Sequence, residues 1–110
     1  MMRAMKERNV YAMIKSKFFI GVDCEGVSCA VGKPDVKLSA SENYPWVRKQ
    51  ATLEANAAAK ALFDMGAEEV IVWDNHGTGM NLQYELLDSR CKILLGSGHK
   101  GRFPSIDKSF

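Results

Sequence analysis

Two short patterns in this 110-residue chain carry side chains suited to chemistry. The first is Asp23-Cys24-Glu25, which follows the apolar run Phe18-Phe19-Ile20-Gly21-Val22. The second is Asp74-Asn75-His76, which follows Glu69-Val70-Ile71-Val72-Trp73. Side chains two apart on a strand share a face, so Asp23 and Glu25 are expected together. Two carboxylates held close are costly without a cation. An imidazole at the same point would complete a set of two oxygen donors and one nitrogen. Such a set suits a borderline divalent metal, zinc first, with manganese or iron as alternatives. Three protein ligands leave a position for water, which the metal acidifies for hydrolysis. Asp23, Glu25 and His76 are therefore candidate metal ligands, with Asp74 nearby. A plainer account makes Asp23 and Asp74 loop-capping residues and His76 a polar loop side chain. On these residues alone the two accounts stand level. D-x-E by itself is a weak pattern, and its pairing with D-x-H after a second strand is moderately specific.

The elements that would position these groups follow from hydrophobic pattern. Residues 17–23 form a near-continuous apolar run, as in a strand of a parallel sheet covered on both faces. Residues 69–74 repeat that character. Between them Val47, Ala51, Ala55, Ala58, Leu62 and Met65 recur at steps of three and four, which predicts a helix from Pro45 to just before Gly66. Strand, helix and strand make a βαβ unit with a right-handed crossover. Both acidic patterns then fall at the carboxyl edge of the sheet, where open α/β folds bind ligands. The stretch from Glu25 to Tyr44 lacks strong periodicity and reads as a long loop, functional or mobile. Residues 80–87 are expected as a short helix with Leu82, Leu86 and Leu87 inward, and residues 91–95 as a third strand. Trp46 and Trp73 are expected in the core. Thr52, Glu54 and Asn56 lie off the helix's apolar stripe, which assigns them to supporting the site from behind or anchoring the long loop. His99, between glycines, reads as solvated. The fold class is α/β, a parallel βαβ-type sheet with helices packed on it. One long helix and one short one are few for both faces of such a sheet, so part of a larger α/β protein or an obligate oligomer is expected.

Composition narrows the function classes. A net charge of +2 does not point to nucleic acid or a membrane surface. No run of 18 apolar residues is present, so no membrane span is expected. Cys24, Cys29 and Cys91 are odd in number and lack metal-finger spacing, which fits reduced thiols in core strands of a cytoplasmic protein. Residues 1–16 are basic and Met-rich without the apolar centre of a secretory signal. They read as a flexible extension, with Met13 a natural alternative start, and residues 17–110 as the folded unit. No GxGxxG or P-loop pattern occurs, and Gly96-Ser97-Gly98 is a weak phosphate signal, so a nucleotide binder ranks last.

Several segments together resemble one family. Phe19-Ile20-Gly21-Val22-Asp23-Cys24-Glu25-Gly26-Val27-Ser28 is similar to the S-x-D-x-E-G-[IV]-S opening of the D-aminopeptidase (DppA-type) zinc metallopeptidase family. Ala51-Thr52-Leu53-Glu54-Ala55-Asn56-Ala57-Ala58 resembles its T-x-E-x-N-A-A segment, and Asp74-Asn75-His76-Gly77 its D-[SG]-H turn. The resemblance covers residues 18 to about 107, in the family's order and spacing. It implies that Asp23, Glu25 and His76 belong to the first metal-binding group, with Asp23 at the position that bridges two zinc ions. It also implies an α/β fold with a second small domain, a ring-shaped homo-oligomer, and hydrolysis of N-terminal residues from short, D-amino-acid peptides. Family members are more than twice as long, and their further ligands and catalytic histidine come later than residue 110; His99 is not one of them. The expectation is therefore the N-terminal part of a larger three-layer α/β domain, truncated and with an incomplete active site. The alternative is a non-catalytic fragment or assembly module that keeps a single metal site.

Overall fold

The computed structural model describes residues 16–99 and 106–110, so the expectation for the extension lies almost wholly outside the described residues. Strand β1 is Lys17–Val22, helix α1 is Tyr44–Asp64, β2 is Glu69–Asp74 and β3 is Lys92–Leu94. The three strands form one parallel sheet in the order β1-β2-β3. Lys17 pairs with Glu69 and Val22 with Asp74, so the first two strands run in step along their full length.

Alternation decides which face is covered. On β2, Val70, Val72 and Asp74 are buried while Glu69, Ile71 and Trp73 are partly exposed. The register puts Phe18, Ile20 and Val22 beside the buried set. That face packs against α1, whose buried residues are Val47, Ala51, Thr52, Ala55, Ala59 and Phe63. The buried row thus steps by four, and the predicted stripe through Ala58 and Met65 is wrong. Ala58 is exposed and Met65 lies past the helix end, 67% exposed. A step of four overshoots a full turn by about 40°, so the row winds round the helix. A winding row fits the twisted surface of a sheet better than a straight one. The helix ends in a Schellman motif: Gly66, with φ of 98°, donates to Phe63 O and Ala67 N–H donates to Leu62 O.

Other expectations need correction. Residues 80–87 hold one 3-10 turn, Tyr84–Leu86, in otherwise irregular chain, with Leu82 and Leu87 buried and Leu86 only partly so. The third strand is shorter than predicted. Trp46 is 51% exposed, because it sits on the outer side of the first helical turn. Trp73 is half-buried and packs against Phe19 at 5.8 Å between ring centres. None of the three free cysteines lies in a strand; Cys24 is buried, Cys91 half-buried and Cys29 exposed. The long loop is fastened rather than loose. Ser41 Oγ donates to Val31 O at 2.8 Å and Asn43 Nδ2 to Cys29 O at 2.7 Å. Away from α1, the sheet's second face carries Phe19, Ile71, Trp73 and Leu94, all half-exposed. Phe110 meets this face through Phe19, at 6.2 Å.

Candidate metal centre

The parallel ladder delivers both acidic patterns to one edge. Asn75 N–H donates to Val22 O at 2.9 Å, so pairing continues one step past the strands. β1 ends at Val22, and Asp23 and Glu25 lie in the turn just beyond it, not on the strand itself. Their common direction comes from Cys24 between them, which is 1% exposed and points into the core. Cys24 N–H donates to Asp23 Oδ1 at 2.9 Å and fixes that carboxylate.

His76 closes the group. Its Nδ1 lies 2.9 Å from Asp23 Oδ1 and 3.0 Å from Glu25 Oε2. The three donor atoms all lie within 4.8 Å of one another. The imidazole is largely covered while both carboxylates are more than half exposed. Partial burial pushes the Asp23 carboxyl up, but its bonds to His76, Glu25 and the Cys24 amide outweigh this and hold it below the usual range. Zinc bonded at about 2.1 Å in a tetrahedron would set its donors about 3.4 Å apart. The observed 2.9 and 3.0 Å need open by only about half an ångström, so the residues present fit a divalent ion. The neighbouring Cys24 thiol is pushed up to about 11, by burial first and then by Asp74, Asp23 and Glu25.

Asp74 is not among these donors. It is 1% exposed, and both its oxygens are engaged. Oδ2 accepts from Asn81 N–H at 2.6 Å, Leu82 N–H at 2.9 Å and the Tyr84 hydroxyl at 2.9 Å, while Oδ1 accepts from Asn81 Nδ2 at 2.9 Å. Asn81 Nδ2 also donates to the His76 carbonyl, and Tyr44 OH donates to Asn81 Oδ1. Arg48 Nε donates to Asn81 O at 2.6 Å. Burial pushes the Tyr44 and Tyr84 phenols up to about 12, with Cys24 and Asp74 adding to it respectively, so both remain hydroxyl donors. Asp74 therefore ties down the loop whose backbone carries His76.

The remaining polar helix residues anchor loops. Glu54 Oε2 accepts from Ser28 N–H at 3.2 Å and from Gln50 Nε2 at 3.1 Å, and Glu54 lines a cavity of about 320 Å³ together with Asp23 and Glu25. Asn56 Oδ1 accepts from Asp88 N–H at 2.6 Å, near the start of β3. Thr52, fully buried, donates to Arg48 O and accepts from Gln83 N–H. His99 is exposed, with Nε2 3.0 Å from Leu95 O, and is not in the cluster. A backbone contact braces the His76 loop against the end of β3: Gly96 N–H donates to Gly79 O at 2.8 Å. Gly79 has φ of 73°, and a Cβ there would lie 2.4 Å from Gly96 O. Sequence reasoning missed Asn81, Tyr84, Tyr44 and Arg48. The one sign in the sequence is a polar Asn81 set between Met80 and Leu82, in a stretch expected to bury apolar groups.

A solved protein shares this arrangement of strands. The family model for D-aminopeptidase, peptidase family M55, matches residues 16–110. A D-aminopeptidase of Bacillus subtilis (strain 168) is 35% identical over 82 residues, which is 73% of this chain and 29% of that protein. The solved structure of the Zn-dependent D-aminopeptidase DppA from Bacillus subtilis, a self-compartmentalizing protease, superposes with a TM-score of 0.76 at 30% identity. That superposition covers 86% of this chain and 34% of the other. The chain thus spans about a third of the length of these relatives. With the family match running from the first strand through the end of the chain, the protein belongs to the D-aminopeptidase family, peptidase family M55.

Proposed function

We propose that Asp23, Glu25 and His76 hold a divalent metal, zinc, in the centre of an aminopeptidase-type hydrolase acting on short D-amino-acid peptides. One observation carries this: two carboxylates from the turn after β1 meet the same imidazole nitrogen from the turn after β2. Family membership and the zinc dependence of the solved relative support the choice of metal and reaction. Bound zinc supplies an acidified water and polarises a carbonyl. The chain's own residues prepare the place for it. Asp23 and Glu25 bring the negative charge, Cys24 N–H and the Asp74–Asn81 network hold the donors still, and Glu54 pins the loop beside them.

Among the described residues no helix is long and apolar enough to cross a membrane. Three free cysteines fit a reducing compartment, and we read the protein as cytoplasmic. The half-exposed apolar sheet face and the self-compartmentalizing relative support assembly into a homo-oligomer. That same face favours a second reading, in which the chain acts as an assembly module that keeps the metal without turnover.

Metal content decides the first point. After zinc loading and dialysis, elemental analysis is expected to find zinc in the wild type and to lose most of it in Asp23→Ala and in His76→Ala. Equal zinc in all three would sink the ligand assignment. Hydrolysis of a D-alanyl dipeptide by the zinc-loaded protein separates enzyme from assembly module.

A further inference from the structure

We infer that Arg48, assisted by Lys37, binds the C-terminal carboxylate of the peptide, and so orients the substrate across the centre. This rests on the hydrolase reading above and adds to it a site that selects short peptides with a free C-terminus. A second cavity, about 770 Å³, opens off the cluster, with Glu25 and His76 in its wall. Its volume falls in the range of small-molecule sites. Lys37 and Arg48 also line it, with Leu38 and Met80 giving apolar surface.

Charge makes the assignment. Among the described residues the only acid in the lining is Glu25, and its carboxylate already faces His76 Nδ1 at 3.0 Å. Two cations therefore stand against one committed anion. Arg48 is half-buried and fixed through Nε, which donates to Asn81 O at 2.6 Å. Its paired Nη nitrogens have no acceptor among the described residues, and Lys37 has no ion pair there. A partly desolvated guanidinium with an open planar fork is a ready partner for a carboxylate, which it grips at two points. An aminopeptidase places the peptide's N-terminal end at the metal. A cavity of about 770 Å³ has room for the opposite carboxylate of a chain of two or three residues. A longer or amidated peptide offers no charge there.

The test compares an uncleavable D-alanyl dipeptide analogue, its peptide bond reduced to a methyleneamine, with the same analogue capped as its C-terminal amide. Both are titrated calorimetrically into the zinc-loaded wild type, Lys37→Gln and Arg48→Gln, with zinc content measured on every sample. The wild type is expected to bind the free acid about tenfold tighter than the amide. Arg48→Gln should bring that ratio to about one whatever its affinity for the amide, and Lys37→Gln should reduce the ratio about threefold. Lys37 makes no side-chain bond within the described fold, so its variant reads the site even if Arg48→Gln fails to fold. Equal affinity for acid and amide, or binding of neither by the zinc-loaded wild type, overturns the proposal. A wild type that takes up no zinc overturns the metal assignment instead. The acid-to-amide ratio, measured on that metal-free protein, then decides the Arg48 site separately, a ratio of one counting against it.

Discussion

Asp74 shows how a buried carboxylate can hold the loop behind a neighbouring cluster of side chains without joining that cluster. Burying its charge costs several kcal/mol, and four hydrogen bonds from three residues offset that cost. Two of the donors are backbone amides of the irregular chain after β2, so the side chain replaces the helix or ladder partners those amides lack. Asp74→Asn keeps the shape but puts an amide donor among donors. Asn81 cannot flip to compensate, because its own oxygen accepts from Tyr44. The variant should lose about 2 kcal/mol in urea unfolding. Its zinc affinity should fall about 10-fold, since the His76 carbonyl loses a fixed partner. Unchanged unfolding would show that the network contributes little. The meeting of Asp23, Glu25 and His76 was legible in the sequence because few residue types could serve the chemistry proposed for them. Asn81 and Tyr84 were not, because any polar residue of the right length fits a loop until its buried partner is known.

At the level of elements, the strands and α1 were readable because their apolar periods are strong and local. The buried row of α1 was less so. Whether it runs straight or winds depends on the twist of the sheet beneath it, which no single helix records. Thr52 illustrates the limit: it is fully buried because Gln83 N–H, 31 positions away, needs its hydroxyl. The Gly79–Gly96 brace is another pairing that only the assembled fold displays. It makes a clear contrast with the glycine that ends α1. A Cβ on Gly66 would meet open space, and its φ is 98°, so Gly66→Ala should cost only about 1 kcal/mol of backbone strain. Gly79→Ala adds a collision with backbone to similar strain, and should cost roughly 3 kcal/mol. Thermal melts of the two variants side by side check the difference. Equal losses would mean that the two loops part freely and the brace holds nothing.

For the whole molecule, the open sheet face matters most. Parallel sheets are stable when both faces are covered, and here α1 lies on one of them. Phe19, Ile71, Trp73 and Leu94 offer an apolar surface suited to burial against another folded unit. Sedimentation velocity should find species larger than one chain, and Leu94→Glu should shift them toward the single chain while leaving zinc content unchanged. A wild type that sediments as one chain would argue against assembly through this face. The matched ladder between β1 and β2 has an effect of another kind. From Lys17 opposite Glu69 to Val22 opposite Asp74, both strands count six residues before reaching the donors. The site is thus gauged by length. Apolar residues in either strand can exchange for one another, but losing or gaining one position in a single strand slides Asp23 past His76 by about 3.3 Å and turns the side chains over. Over descent, this part of the gene should accept many spelling changes and almost no change in the number of letters between its two acidic patterns and their strand starts.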